Sequence, residues 1–398
     1  MRTPTRSHHD VVVIGSRCAG AATAMLLARA GHDVAVVDRS RFPSDVLSTH
    51  GLVRGGVVQL ARWGLLDRVL ASGAPAVREV MFRRDDTEVI RKVKDRAGVD
   101  LLVAPRRHVL DALLVDAAQV AGAQVRTGIT ATGVRRDRSR RVVGVEARTA
   151  DGEPIELTAR YVVGADGLRS RMARWVGAEV RDSFTADTAA FYTYVADAAW
   201  PAYEFHIAQD AFAGVFPTHG GEACVWLIRP TPAVASIRAA GARRAAALDA
   251  ELEAVAPTLA ARVRSGRITA RVRGAAGLPN YVRHPVGPGW ALVGDAGYHR
   301  DPITGHGITD AFRDAELLAT AVDRSLRHPA EEPEAMTGYA DRRNAALRET
   351  FDLTRALTSF PHPERFVELQ IQLSEALERE AELLASLPAP AGTAAEAA

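Results

Sequence analysis

The chain has 398 residues, 47% of them apolar and 25% charged, with a formal net charge of +2. That length holds roughly two to three domains and a large core. The near-neutral balance argues against nucleic acid or an anionic membrane as a partner, the two cysteines, Cys18 and Cys224, are too few for a disulfide framework, and no apolar run nears the roughly eighteen residues of a membrane span.

These features predict a soluble, cytoplasmic protein without a metal site; no zinc spacing is present. Lys92 and Lys94 are the only lysines among 50 basic residues. Paired with the abundant alanine, that arginine bias reads as genome base composition and not as a phosphate-binding signal.

Residues 1–10 are polar and lead straight into a strand. Residues 11–14, VVVI, form an apolar, β-branched run of the kind buried on both faces of a parallel sheet. A glycine turn spans 15–20, a helix with apolar spacing spans 21–30, and Gly31 stops it. A second β-branched run, 34–37, ends in Asp38. This order suits a dinucleotide. Gly15 permits the sharp turn, and Gly20 permits close packing of helix on sheet. The first helical turn presents N–H groups to a pyrophosphate, and Asp38 can accept hydrogen bonds from a ribose. Arg17 stands where the pattern has its middle glycine. It cannot give glycine's close approach but offers a cation to phosphate.

A polar connection, 41–50, ends in Leu47-Ser48-Thr49-His50. Residues 53–72 read as one helix and 77–93 as a hairpin leaving the nucleotide-binding unit. A helix opens at Pro105-Arg106-Arg107 and runs to 121. Strands follow at 124–127, 131–136, 142–149 and 155–159. Another, at 161–164, breaks into Gly164-Ala165-Asp166-Gly167, ahead of a helix at 170–176. From 181 to 273 aromatics concentrate. Alternating strands there predict an antiparallel sheet, interrupted by helices at 233–256 and 257–263, as a second domain inserted into the first. The first domain resumes at Gly289, with a loop at 297–307 and a helix at 308–323. Residues 363–387 carry a helical stripe of Phe366, Leu369, Leu373, Leu377 and Leu384. The segment 388–398 reads as disordered.

Three further stretches stand in register with the opening fingerprint. They are Arg107-His108-Val109-Leu110-Asp111, Gly164 through Ser170, and Gly294-Asp295 through Pro302 and Gly307 to Ala319. With them the sequence resembles the single-component flavoprotein monooxygenases of the p-hydroxybenzoate hydroxylase type, and their relatives the geranylgeranyl reductases and flavin-dependent halogenases. The resemblance covers 11–177 and 289–319. It implies an α/β fold with an FAD-binding, Rossmann-like domain of the glutathione reductase type, drawn from 1–78, 100–178 and 275–345. An inserted antiparallel-sheet substrate domain takes 79–99 and 179–274, and a C-terminal helical segment takes 346–387.

The resemblance also implies FAD as cofactor and NAD(P)H as reductant. Gly15, Arg17, Gly20, Asp38 and Arg39 would serve the pyrophosphate and adenosine ribose. Arg107 matches an arginine that reaches the FAD, and Asp166 with Gly167 a motif serving FAD and the passing nicotinamide nucleotide. Asp295 matches the acid that binds the ribityl chain. Pro302, Gly305, His306 and Gly307 match the loop along the isoalloxazine, where a following helix N-terminus stabilises negative charge. His50 stands where relatives often have a flavin-contacting arginine, and His50 and Pro302 are the candidates for a direct part in the chemistry.

The activity implied first is NAD(P)H- and O2-dependent hydroxylation of an aromatic or polyketide-like small molecule through a C4a-hydroperoxyflavin. The alternative is a reductase or dehydrogenase of the geranylgeranyl reductase type. A halogenase fits less well, because the W-x-W-x-I-P motif and its lysine have no match. A flavin-binding protein without turnover is a third reading. Tyr194, Tyr203, Phe205, Phe216 and Trp226 are candidates to line the substrate pocket, although alternation does not say which sheet face meets the flavin. A monomer or homodimer is expected.

Overall fold

β1 (Thr5–Ile14), α1 (Cys18–Arg29) and β2 (Val34–Asp38) form the expected βαβ unit in a computed structural model that describes residues 5–392. The apolar end of β1 pairs in parallel with β2, Val11 opposite Val34 through Ile14 opposite Val37. All of these side chains are buried, as a strand covered on both faces requires. α2 (Arg54–Arg62) and α3 (Leu66–Ala71) follow. The sequence predicts one helix here. Gly64, at φ +72°, breaks it, a conformation that residues with a Cβ avoid.

β3 (Glu79–Arg84) and β4 (Thr87–Lys92) form the hairpin. β4 is an edge strand, exposed along its whole length, and Lys92 and Lys94 stand exposed at its end. α4 (Arg107–Val120), β5 (Gln124–Thr127), β6 (Thr130–Arg136), β7 (Val142–Arg148) and β8 (Pro154–Gly164) come next. The two strands predicted at 155–159 and 161–164 are one. Arg160 between them is exposed and extended; pairing with β1 skips it and continues in the same register at Tyr161.

α5 (Arg171–Val176) leads to β9 (Val180–Thr185), then β10 (Thr188–Ala196), β11 (Tyr203–Ala208), β12 (Ala211–Pro217) and β13 (Ala223–Pro230). The helix predicted at 233–256 is broken into α6 (Ala235–Ala239) and α7 (Arg244–Val255), with Gly241 at φ +53° between them. α8 (Pro257–Ser265) follows. Short strands β14 (Arg267–Ile268), β15 (Arg273–Ala276), β16 (Pro279–Arg283) and β17 (Val286–Gly287) lead back to β18 (Trp290–Leu292) and β19 (Tyr298–His299). The last helices are α9 (Gly307–Arg327), α10 (Glu332–Leu357) and α11 (Pro363–Ser386).

The first sheet runs β17-β18-β8-β1-β2-β5, with β6 and β7 branching from β8. The second runs β14-β10-β13-β12-β11-β3-β4, with β15 beside β10. It is not purely antiparallel: β3 lies parallel to β11. β9 leaves it for a small sheet with β16 and β19.

Period-two alternation gives the second sheet two unlike faces. On one, a cross-strand row reads Tyr192, Trp226, Gly214, Phe205 and Phe82, and the next Tyr194, Cys224 and Phe216. Tyr203 continues that row, its ring 4.6 Å from that of Phe216. α10 and α11 cover this face with Leu353, Leu357, Phe366, Leu369, Leu373 and Ala376. The other face carries Ala213, Val215, Val225 and Leu227 under Leu248, Leu252 and Leu259 of α7 and α8.

Arg62 donates to the carbonyls of Leu387 and Pro388. The start of the predicted disordered tail is therefore anchored, while 393–398 lie outside the described residues, as do 1–4 of the predicted polar N-terminus. Among the described residues no helix is long and apolar enough to cross a membrane.

Candidate active site

The C-terminal ends of β1, β8 and β18 lie side by side, and each runs into a glycine turn. Ala165 donates its N–H to Ile14 at 2.8 Å, and Val293 to Gly164 at 3.0 Å. The turns touch backbone to backbone. A Cβ on Gly20 would lie 1.9 Å from the Gly15 carbonyl oxygen, and one on Gly15, at φ +102°, would lie 2.4 Å from that of Ala165. In open α/β sheets this end of the strands is where ligands bind. α1 begins here, and no side chain caps its first turn, so its N–H groups face outward with the positive end of the helix dipole.

Around that turn the charges are paired. Arg17 donates to Asp111 at 2.6 Å and to the Ser44 carbonyl. Arg107 donates to both oxygens of the same carboxylate at 3.0 and 3.2 Å. Asp111 is fully buried, so two cations share one anion and leave positive charge beside the α1 N-terminus. Asp38 accepts from the N–H and hydroxyl of Ser16 and from the N–H of Ser40; Arg39 next to it is exposed. Asp166 accepts from the Ser170 hydroxyl and from the N–H groups of Arg171 and Met172. It thus supports the start of α5, whose cap is Ser170, with Gly167 after it at φ +77°.

Asp295 is half-buried, and its carboxylate has no hydrogen-bond partner among the described residues. Burial pushes its carboxyl up, against the pull of His299 and Arg107. A Cβ at Gly167, Gly305 or Gly307 would meet no atom within 4 Å, so the backbone there borders open space. The first turn of α9, after His306, is also without a side-chain cap. Uncapped helix starts, a cation pair and an unpartnered carboxylate are the donor set an FAD would use, and these residues fit it.

The 302–307 loop is held from below. Asp301 accepts from Ile303 N–H at 3.0 Å and is hydrogen-bonded by Thr188 on β10. Ile303 packs into the aromatic cluster of the second sheet, next to the half-buried Pro302. The 44–50 connection docks on the same strand. Ser48 N–H donates to the Tyr192 hydroxyl at 3.2 Å, and His50 Nε2 and the Tyr194 hydroxyl share a hydrogen bond of 2.9 Å. His50 is buried at φ +49°. Burial, with Arg106 and Arg107 nearby, pushes its imidazole down to about 3, so it is neutral at physiological pH. The Arg106 guanidinium lies 3.5 Å from the centre of the Tyr194 ring.

Tyr194, Tyr203, Phe205, Phe216 and Trp226 all stand on the one face that meets both segments. Neighbouring ring centroids among Tyr203, Phe205, Phe216 and Trp226 are 4.6 to 6.0 Å apart. The indole N–H of Trp226 is buried and unpartnered among the described residues. His306, Asp310 and Glu380 could present metal ligands within 4.8 Å of one another. Arg313 and Arg300 occupy those carboxylates instead, and the group is a salt-bridge network. A cavity of about 470 Å³ lined by Arg135, Arg141, Tyr161 and Glu332 lies elsewhere, along the middle of β8.

Sequence reasoning did not assign Asp111, Ser16, Arg106, Tyr192 or Glu380. Asp111 carried a signal: it lies one helical turn after Arg107. Glu380 carried none.

The sequence pattern of the family described as FAD binding domain matches residues 8–354. Digeranylgeranylglycerophospholipid reductase 1 from Methanopyrus kandleri is 29% identical over 363 residues, covering 87% of this chain and 88% of the relative. Among solved structures, a flavin-dependent brominase superposes with a TM-score of 0.80 at 19% identity, covering 98% of both chains. PqsL, a probable FAD-dependent monooxygenase from Pseudomonas aeruginosa, superposes with a TM-score of 0.75 at 23% identity, covering 91% of this chain and 99% of that one.

Proposed function

The chain belongs to the FAD binding domain family and is an FAD-dependent oxidoreductase; from that premise we propose that it is a monooxygenase, using NAD(P)H and O2 to hydroxylate an aromatic or polyketide-like small molecule. The observation that carries this reading is the single aromatic face of the second sheet, joined through Ile303 to the 302–307 loop. Such a face suits a flat, apolar ligand laid beside a flavin ring. PqsL, described as a probable monooxygenase, shares the architecture.

Bound FAD would supply the redox chemistry, taking two electrons from a nicotinamide and passing them to oxygen. The chain's own residues do the rest. The α1 N-terminus, with Arg17 and Arg107, neutralises the pyrophosphate. Asp295 holds the ribityl hydroxyls. The α9 N-terminus stabilises negative charge at the ring. The aromatic face orients the substrate and excludes water. His50 and Tyr194, both neutral, hold the 44–50 connection against β10 and present a polar edge to the ligand.

The test is the visible spectrum of the purified protein, then anaerobic NADPH, then air, with a panel of phenols. A flavin band that bleaches faster with one phenol, and oxygen uptake that yields its hydroxylated product, is the expected result. Oxygen-independent turnover would point to the second reading, a reductase of the geranylgeranyl reductase type, which the Methanopyrus relative favours.

A further inference from the structure

We propose that Glu380, on the C-terminal helix, is a positioning residue for the flavin: it holds the 302–307 loop and the start of α9 where the ring is bound. The proposal rests on the FAD site described above.

Glu380 reaches the loop from 74 positions away. One carboxylate oxygen lies 2.6 Å from His306 Nε2, and the other accepts from Arg313 at 2.6 Å. His306 is the residue before the first turn of α9, and Arg313 lies nearly two turns into it. Both are buried. Arg313 also bonds Asp310 and Asp314, and Arg300 pairs with Asp310 at 2.9 Å. Glu380 therefore ties α11 to the start of α9.

The chemistry of this tie is costly without a purpose. The inward neighbours of Glu380 on α11 are apolar: Leu373, Ala376, Ala381 and Leu384. They seat this side of the helix by burial. A carboxylate among them must be desolvated, and a buried ion pair seldom adds net stability over an apolar contact. Burial would push its carboxyl up, but Arg313 and His306 hold it well below the usual range, so the group stays ionised. Thr304 Oγ1 and His306 Nδ1, on either side of Gly305, are buried without partners among the described residues. The loop thus carries polar atoms that the protein leaves for a ligand or water. The same helix puts Phe366, Leu369, Leu373 and Ala376 over the aromatic face. One element spans both halves of the site.

The test uses the full chain loaded with FAD, with Glu380→Ala, Glu380→Gln and, as a control, Glu378→Gln. Glu378 pairs with Arg54 at 2.8 Å and seats α11 without touching the loop. Three quantities are read: the FAD dissociation constant, the shape of the visible flavin band, and the reduced-to-oxidised flavin ratio at a fixed dye potential. In Glu380→Ala the band changes shape and the ratio falls roughly fivefold, as expected for a displaced helix N-terminus. Glu380→Gln falls between, and Glu378→Gln matches wild type. Wild-type band and ratio in both Glu380 variants overturn the proposal. So does an equal shift in Glu378→Gln, or a Glu380→Gln protein that fails to fold, since either assigns the residue to stability. Wild-type protein that binds no FAD removes the FAD reading itself, a result told apart from the others by its control.

Discussion

The strand ends and the aromatic face are built in opposite ways. At the strand ends backbone meets backbone, and one added carbon would lie 1.9 Å from the Gly15 carbonyl oxygen. On the aromatic face rings meet rings at centroid distances of 4.6 to 6.0 Å, and side chains can repack. The first region has no tolerance and binds something of fixed shape. The second is adjustable, and under the proposed function it is where the choice of substrate belongs.

Gly20→Ala should break the rigid end outright. Overpacking of this kind costs up to about 3 kcal/mol, and as affinity that is about a hundredfold. Titration with FAD should show the loss, and a yellow variant with wild-type affinity would refute the contrast. On the adjustable side, Trp226→Ala and Leu227→Ala change adjacent residues on opposite faces of β13. Each should lower stability by about 3 kcal/mol in chemical denaturation. Only Trp226→Ala should alter which ligands perturb the flavin spectrum. If Leu227→Ala does so equally, the facing of the sheet carries no functional meaning.

The next effect is smaller and depends on pH. Unfolded, His50 takes up a proton below about 6.5; folded, it does so only near 3. Over that window the unfolded state binds more protons, so stability falls as pH falls. Near pH 5 the slope from this residue is at most about 1.4 kcal/mol per unit. His50→Gln should flatten the acid limb of a stability-against-pH curve, and an unchanged limb would show that His50 titrates normally. Least of all, Tyr194→Phe removes one hydrogen bond to His50 and should cost about 1 kcal/mol, with FAD affinity unchanged by titration.

What the sequence revealed follows the same division. The βαβ unit is legible because consecutive residues carry it: VVVI, the two glycines and Asp38 stand within thirty positions. The five aromatics could be named from composition, but their shared face could not. That face depends on register between strands as distant as Phe82 and Phe205. The broken helices at Gly64 and Gly241 were missed because apolar periodicity continued across the glycines, and their positive φ decided the outcome. Asp38 and Asp166 were found as positions, yet their carboxylates also hold Ser16 and the start of α5. Glu380 was out of reach, because its meaning lies in a partner 74 residues away.

The only two lysines of the chain, Lys92 at the end of the edge strand β4 and Lys94 just beyond it, are both exposed. Apart from the N-terminal amine, an amine-selective reagent therefore has one small patch to modify, since guanidinium groups are far less nucleophilic. A fluorophore attached there rides on the same sheet as Trp226 and Phe205. With flavin absorption as the energy acceptor, the wild-type chain becomes its own molecular ruler, and no cysteine has to be engineered to read it.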